Sequence, residues 1–115
     1  MLLVDDDESL RRALARAIRL AGFQVEAFSS AEALLARGIR EHDACLVLDI
    51  DLPGIDGVSC QKMLEASGHD LPTVFITGLS FAEVRDPIFA RKAVAVLYKP
   101  FNKDDLIVAI EQACA

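Results

Sequence analysis

Four short stretches of this 115-residue chain carry residue types that do chemistry in combination. They are the acidic run Asp5-Asp6-Asp7, Asp49 with Asp51 two residues on, Thr77-Gly78, and Lys99-Pro100. Taken singly, each has an ordinary explanation. A lone Asp ahead of a helix is usually an N-cap, a threonine ending a strand fills a pleat, and a lysine there is a solvated surface group. One cap needs one carboxylate, however. Asp7 fills that role, which leaves Asp5 and Asp6 over.

If Asp5, Asp6 and Asp49 converge, each pair of charges about 4 Å apart repels by about 4 kcal/mol at an effective dielectric near 20. Three such pairs rival the whole net stability of a domain, on the order of 5–15 kcal/mol. A cation is implied unless the carboxylates protonate. An all-oxygen ligand set in an exposed crevice suits Mg²⁺ better than Zn²⁺. Lys99 and Thr77 add donors for an anion. Carboxylates, Mg²⁺, a lysine and a hydroxyl describe a phosphoryl-transfer site, where neutralisation and positioning do most of the work. Its natural nucleophile is a carboxylate, which forms an acyl phosphate. Asp49, on the central strand, is the expected one.

The elements that must position these residues are legible in the periodicity. Met1 to Val4 reads as a first strand. From Glu8, Leu10, Leu14, Ala17, Ile18 and Ala21 fall at helical spacing, with Arg11, Arg12, Arg16 and Arg19 on other faces and Gly22 closing the helix. Gln24 to Phe28 alternates as a partly exposed strand does. Ser29 and Glu32 form a Ser-x-x-Glu capping box that opens a helix ending near Gly38. Ala44 to Leu48 is continuously apolar, as a strand covered on both faces requires. Pro53, Gly54 and Gly57 mark a loop, and Val58 to Ala66 a helix. Thr73 to Ile76 and Val94 to Tyr98 are the fourth and fifth strands. Asn102 with Asp105 caps a last helix reaching about Ala113. Between Ser80 and Lys92 a short or kinked helix is expected, since both Ser80 and Asp86-Pro87 suit a helix start.

Five strands alternating with five helices define an α/β domain with a parallel sheet and right-handed crossovers. The flavodoxin-like strand order 2-1-3-4-5 fits this length, and such sheets bind ligands beyond the carboxyl ends of their strands. All four chemical stretches sit there.

Composition narrows the function classes. Twelve basic against 18 acidic residues give a net charge of −6, which disfavours direct nucleic-acid binding by this domain. An apolar fraction of 53% argues for a packed globule. No apolar run approaches the ~20 residues of a membrane helix, and no basic-then-apolar leader precedes Asp5. Cys45, Cys60 and Cys114 lack the spacing of a disulfide framework or a CxxC metal site. They read as buried free thiols in a reduced, cytoplasmic setting.

The motifs Leu3-Val4-Asp5-Asp6-Asp7, Leu46-Val47-Leu48-Asp49-Ile50-Asp51-Leu52-Pro53-Gly54, Phe75-Ile76-Thr77-Gly78 and Tyr98-Lys99-Pro100-Phe101 occur in that order. Asp49 and Thr77 lie 28 residues apart, Thr77 and Lys99 22. In this the chain resembles, over essentially its full length, the receiver domain of bacterial two-component response regulators. The resemblance implies a single receiver domain over residues 1–115, with no output domain in this chain. It implies that Asp49 accepts a phosphoryl group from a sensor histidine kinase or phosphotransfer protein. By the same resemblance Asp6, Asp49 and the backbone carbonyl of Asp51 bind Mg²⁺, and Asp5 acts largely through a water. Thr77 and Lys99 engage the phosphoryl oxygens, and the Lys99–Pro100 bond is cis. The implied output is a shift of the face made by the fourth helix, fifth strand and fifth helix, read by an output domain, a partner protein or a second copy of the chain. Gly78 comes directly after the threonine at this switch.

The pattern is broken in places. Val96 stands where the family usually has an aromatic that swings inward, and Tyr98 is expected as an exposed ring. Lys92 replaces a usual glycine. The side chain of Asp51 adds an acid beside the site. Two other classes remain to be separated. Asp49-Ile50-Asp51 also resembles the DxD of haloacid-dehalogenase-type phosphatases, although the acidic pair here precedes it and little chain is left for a substrate cap. A binding module keeping the fold without using phosphate is the other.

Overall fold

The computed structural model describes residues 1–78 and 93–114. Its elements are β1 (Leu2–Val4), α1 (Glu8–Leu20), β2 (Glu26–Phe28), α2 (Ala31–Arg37), β3 (Leu46–Asp49), α3 (Gly57–Ala66), β4 (Thr73–Thr77), β5 (Ala93–Tyr98) and α4 (Lys103–Ala113). The helix expected between Ser80 and Lys92 lies outside the described residues, and Lys92 with it.

Five parallel strands stand in the order β2-β1-β3-β4-β5, the flavodoxin-like arrangement. Strand alternation sorts the core into two layers. Leu3, Val47, Val74 and Ile76 pack with Leu14, Ile18, Leu106 and Ile110, on the side of α1 and α4. Leu2, Val4, Leu46, Leu48 and Phe75 pack with Leu34, Cys60 and Leu64, on the side of α2 and α3. The three central strands are therefore apolar on both faces. In α1 the inward residue is Ala15 rather than Ala17.

Caps fix where the helices begin. Asp7 opens α1 by accepting from the Leu10 N–H (3.1 Å) and Asp56 opens α3 by accepting from the Ser59 N–H (2.8 Å). Asn102 opens α4 by accepting from the Asp104 N–H (2.7 Å). The α2 cap differs from the expected box. Ser30, not Ser29, accepts from the Ala33 N–H (3.1 Å), because Ser30 is the last extended residue (φ −152°). Glu32, freed from the box, reaches the loop after β3 and accepts from the Ile55 N–H (3.3 Å).

The cysteine expectation is corrected. Cys45 and Cys114 form a disulfide across a sequence separation of 69, with Cα atoms 5.9 Å apart. The end of α4 packs back on the start of β3 within the first core layer, and this brings the two together. Cys60 alone is a buried free thiol. Among the described residues no helix is long and apolar enough to cross a membrane.

An ion-pair tie joins the starts of β2 and β3. Arg37 at the end of α2 pairs with Asp43 and with Glu26 (2.9 Å), and the Arg40 N–H donates to Asp43 (2.7 Å). Burial alone would raise the Asp43 carboxyl. The hydrogen bonds from Arg37 and Arg40 and the Arg37 charge outweigh it and hold the group below its ordinary value.

Candidate functional site

At the other end of the strands, ladder hydrogen bonds run one residue past the regular pairing and hold the chain in place there. The Asp5 N–H donates to Phe28 O (3.2 Å), Ile50 N–H to Ile76 O (2.9 Å) and Lys99 N–H to Thr77 O (2.7 Å). Asp5, Asp49, Thr77 and Lys99 are thereby held at one crevice. The Lys99–Pro100 bond is cis.

Asp5 is fully buried. Its Oδ1 accepts from the Asp7 N–H (2.9 Å), while its Oδ2 has no hydrogen-bond partner. Burial above all pushes its carboxyl up to about 6, and the Asp49 and Asp6 charges add to this against the Asp7 N–H and Lys99. Asp49 ends β3 and is also buried. Its Oδ1 accepts from the Asp51 N–H (2.9 Å) and its Oδ2 from Lys99 Nζ (3.0 Å). Lys99 Nζ also lies 3.6 Å from Asp5 Oδ2. Burial would lower the Lys99 ammonium, but Asp49 and Asp5 outweigh it and hold it above its ordinary value, so the lysine is charged.

Asp5, Asp6 and Asp49 each offer a carboxylate oxygen within 4.8 Å of the others. Three acids gather around one ammonium, and the buried Asp5 Oδ2 has no hydrogen bond, only the 3.6 Å ion pair to Lys99. Oxygen-only donors with surplus negative charge fit a hard divalent cation. The group can hold a metal.

The Asp51 side chain, the further acid expected beside the site, turns toward the end of β4. There its Oδ2 accepts from the Gly78 N–H (2.8 Å) and the Thr77 hydroxyl (3.2 Å). Val96 is half-buried and packs on the second core layer, opposite Phe75 in register. Tyr98 is half-buried rather than exposed.

Two positions escaped the sequence reading. Arg11 donates to the Asp5 carbonyl (3.0 Å) and clamps the start of α1 to the site. Its helical spacing gave it only a solvent face. Gly57 starts α3 directly against the β3 end. A Cβ there would run into Asp49 O and stand 2.8 Å from Ile50 Cα, closer than packed atoms approach. In sequence Gly57 reads only as loop punctuation.

The chain that builds this crevice at the carboxyl ends of a flavodoxin-like sheet matches known proteins. The chain belongs to the response regulator receiver domain family, whose model matches residues 1–111. It is 35% identical over 113 residues to the response regulator protein TodT of Pseudomonas putida, covering 96% of this chain and 49% of TodT. It is 35% identical over 113 residues to nodulation protein W of Bradyrhizobium diazoefficiens, covering 98% of this chain and 50% of that protein. The solved structure of the response regulator StyR superposes with a TM-score of 0.91 at 38% identity, covering 98% of this chain and 57% of StyR. The chain thus spans about half the length of the curated relatives it matches.

Proposed function

We propose that residues 1–115 form one receiver domain in which Asp49 accepts a phosphoryl group from the phosphohistidine of a sensor kinase or phosphotransfer protein. The observation that carries this is the buried Asp49 carboxylate, 3.0 Å from a charged lysine and within 4.8 Å of two further acids.

In the proposed reaction an Asp49 carboxylate oxygen forms a P–O bond as the donor's P–N bond breaks, and the imidazole leaves with the electron pair. Asp6 and Asp49, with the Asp51 backbone carbonyl, would hold Mg²⁺ directly, and Asp5 would act largely through a water. When bound, the ion neutralises the carboxylates and the transferring oxygens. Lys99 already faces Asp49 and needs only a small shift to pair with the new phosphoryl oxygens. Thr77 Oγ1 and Gly78 N–H, at the adjoining strand end, supply the remaining donors. The new dianion then competes for Thr77 and biases the packing around β5 and α4. An output domain, a partner protein or a second copy reads that face. Val96 offers no ring to swing, so either the signal travels through the backbone at Thr77 and Lys99 or the coupling is weakened.

The test is intact mass after incubation with Mg²⁺ and acetyl phosphate. One phosphoryl group is gained, and Asp49→Asn gains none. An unchanged wild-type mass, under conditions where another receiver reacts, overturns the reading. Turnover of many equivalents of a phosphate ester would favour the phosphatase class instead.

A further inference from the structure

The Asp51 carboxylate is exposed, yet it reaches across to the end of β4 rather than into solvent. Its Oδ2 takes both the Gly78 N–H at 2.8 Å and the Thr77 hydroxyl at 3.2 Å. To those donors a carboxylate oxygen and a phosphoryl oxygen are equivalent, since each is an anionic acceptor with free lone pairs. The backbone of Asp51 is pinned as well, because its N–H donates to Asp49 Oδ1 at 2.9 Å. The tether therefore fixes this anion beside the acceptor at a permanent high local concentration. Being exposed, the side chain can leave for water without opening the core.

We propose that Asp51 is an internal competitor for the phosphoryl subsite, a tethered carboxylate that holds the Thr77 and Gly78 donors until a phosphoryl group displaces it. This rests on Asp49 being the acceptor. Asp51 is then a specificity-determining residue. A small anionic donor, with little binding surface elsewhere, must displace the carboxylate by its own affinity for the subsite. A protein donor docks over a wider area and is less affected. The same residue takes the Thr77 and Gly78 donors back once the phosphoryl group is lost.

The experiment measures KM and maximal rate for acetyl phosphate with Mg²⁺ in wild type, Asp51→Asn and Asp51→Ala, each with Thr77 or with Thr77→Val. Asp51→Ala should lower KM about tenfold, equivalent to about 1.4 kcal/mol. Asp51→Asn should fall between, since its amide oxygen still accepts but carries no charge. With Thr77→Val the gain should shrink by the share that rests on the hydroxyl, since the Gly78 N–H remains. An unchanged KM in Asp51→Ala overturns the proposal while a reactive wild type leaves the receiver reading standing. A gain of equal size with Thr77→Val also overturns it, since simple charge repulsion needs no threonine. If wild type and every variant stay unphosphorylated, the receiver reading fails first and the competitor with it. A second readout does not depend on turnover. The Gly78 amide proton should move upfield in Asp51→Ala while the rest of the spectrum holds, and an unmoved Gly78 overturns the proposal.

Discussion

Two acid–base clusters occupy opposite ends of the same parallel strands. At the starts of β2 and β3, Arg37 ties Asp43 and the half-exposed Glu26 together. Both Asp43 oxygens accept hydrogen bonds from Arg37, and the group sits below its ordinary value. At the carboxyl ends, Lys99 faces Asp5 and Asp49, and Asp6 stands with those two acids. One oxygen of Asp5 is buried without a hydrogen-bond partner, and its carboxyl is pushed up to about 6. Both clusters hold more acid than base, and both are partly buried. Each cluster has one buried polar atom without a hydrogen-bond partner, Arg37 Nε in the first and Asp5 Oδ2 in the second, so the distinction lies in the carboxylate oxygens. Where each buried oxygen is met, charge holds the fold together. Where one is left over, charge opposes the fold and is kept for something that binds.

The contrast breaks most sharply at Arg37. Arg37→Ala strands a buried Asp43, and urea unfolding should show a loss of about 3–5 kcal/mol, with phosphoryl uptake by the folded protein unchanged. If that variant is as stable as wild type, the two clusters are not different in kind.

Asp5→Asn should act in the opposite direction. The Asp5 carboxyl titrates near 6 in the fold against an ordinary 3.8, so the folded state binds more protons between those values. Wild-type stability without Mg²⁺ should fall as pH rises from about 4 to about 6, and Asp5→Asn should escape that loss. Above pH 6 the variant should gain up to about 3 kcal/mol in chelator, an advantage that Mg²⁺ narrows by stabilising wild type alone. Equal pH profiles for the two proteins would count against surplus charge at the site.

Asp43→Asn gives the smallest effect and the opposite pH sign. A carboxyl held below its ordinary value stabilises above that value and ceases to do so as pH falls through the folded one. The variant should cost about 1–2 kcal/mol at neutral pH by thermal or urea unfolding, and the gap should close below about pH 4. A gap that widens in acid would invert the assignment of the tie.

The convergence of Asp5, Asp49, Thr77 and Lys99 was legible because a parallel sheet sends the carboxyl end of every strand to one pole. Reading the strands was enough to gather the residues at their ends. The disulfide was hidden for the converse reason. Cys45 and Cys114 meet only once α4 has packed back along the sheet, and no local pattern encodes that. The α2 cap slipped by one residue because adjacent serines compete for one position and only backbone conformation decides. The direction of the Asp51 side chain was equally hidden. Spacing places its Cα beside the site, but the choice between the acids and the Thr77–Gly78 donors is made by hydrogen bonds from another strand.

Gly57 contributes to this site by having nothing there. The first turn of α3 presses so closely on the carbonyl of Asp49 that a single methyl group has no room. A survey that trims side chains to alanine normally probes what atoms do by deleting them, but at position 57 it would add one. Its effect would be felt as displacement of the strand end that bears the acceptor, and so would resemble the loss of a chemical group. The shape of the reactive carboxylate's surroundings is thus set in part by an excluded volume, and only substitutions that enlarge a residue can reveal it.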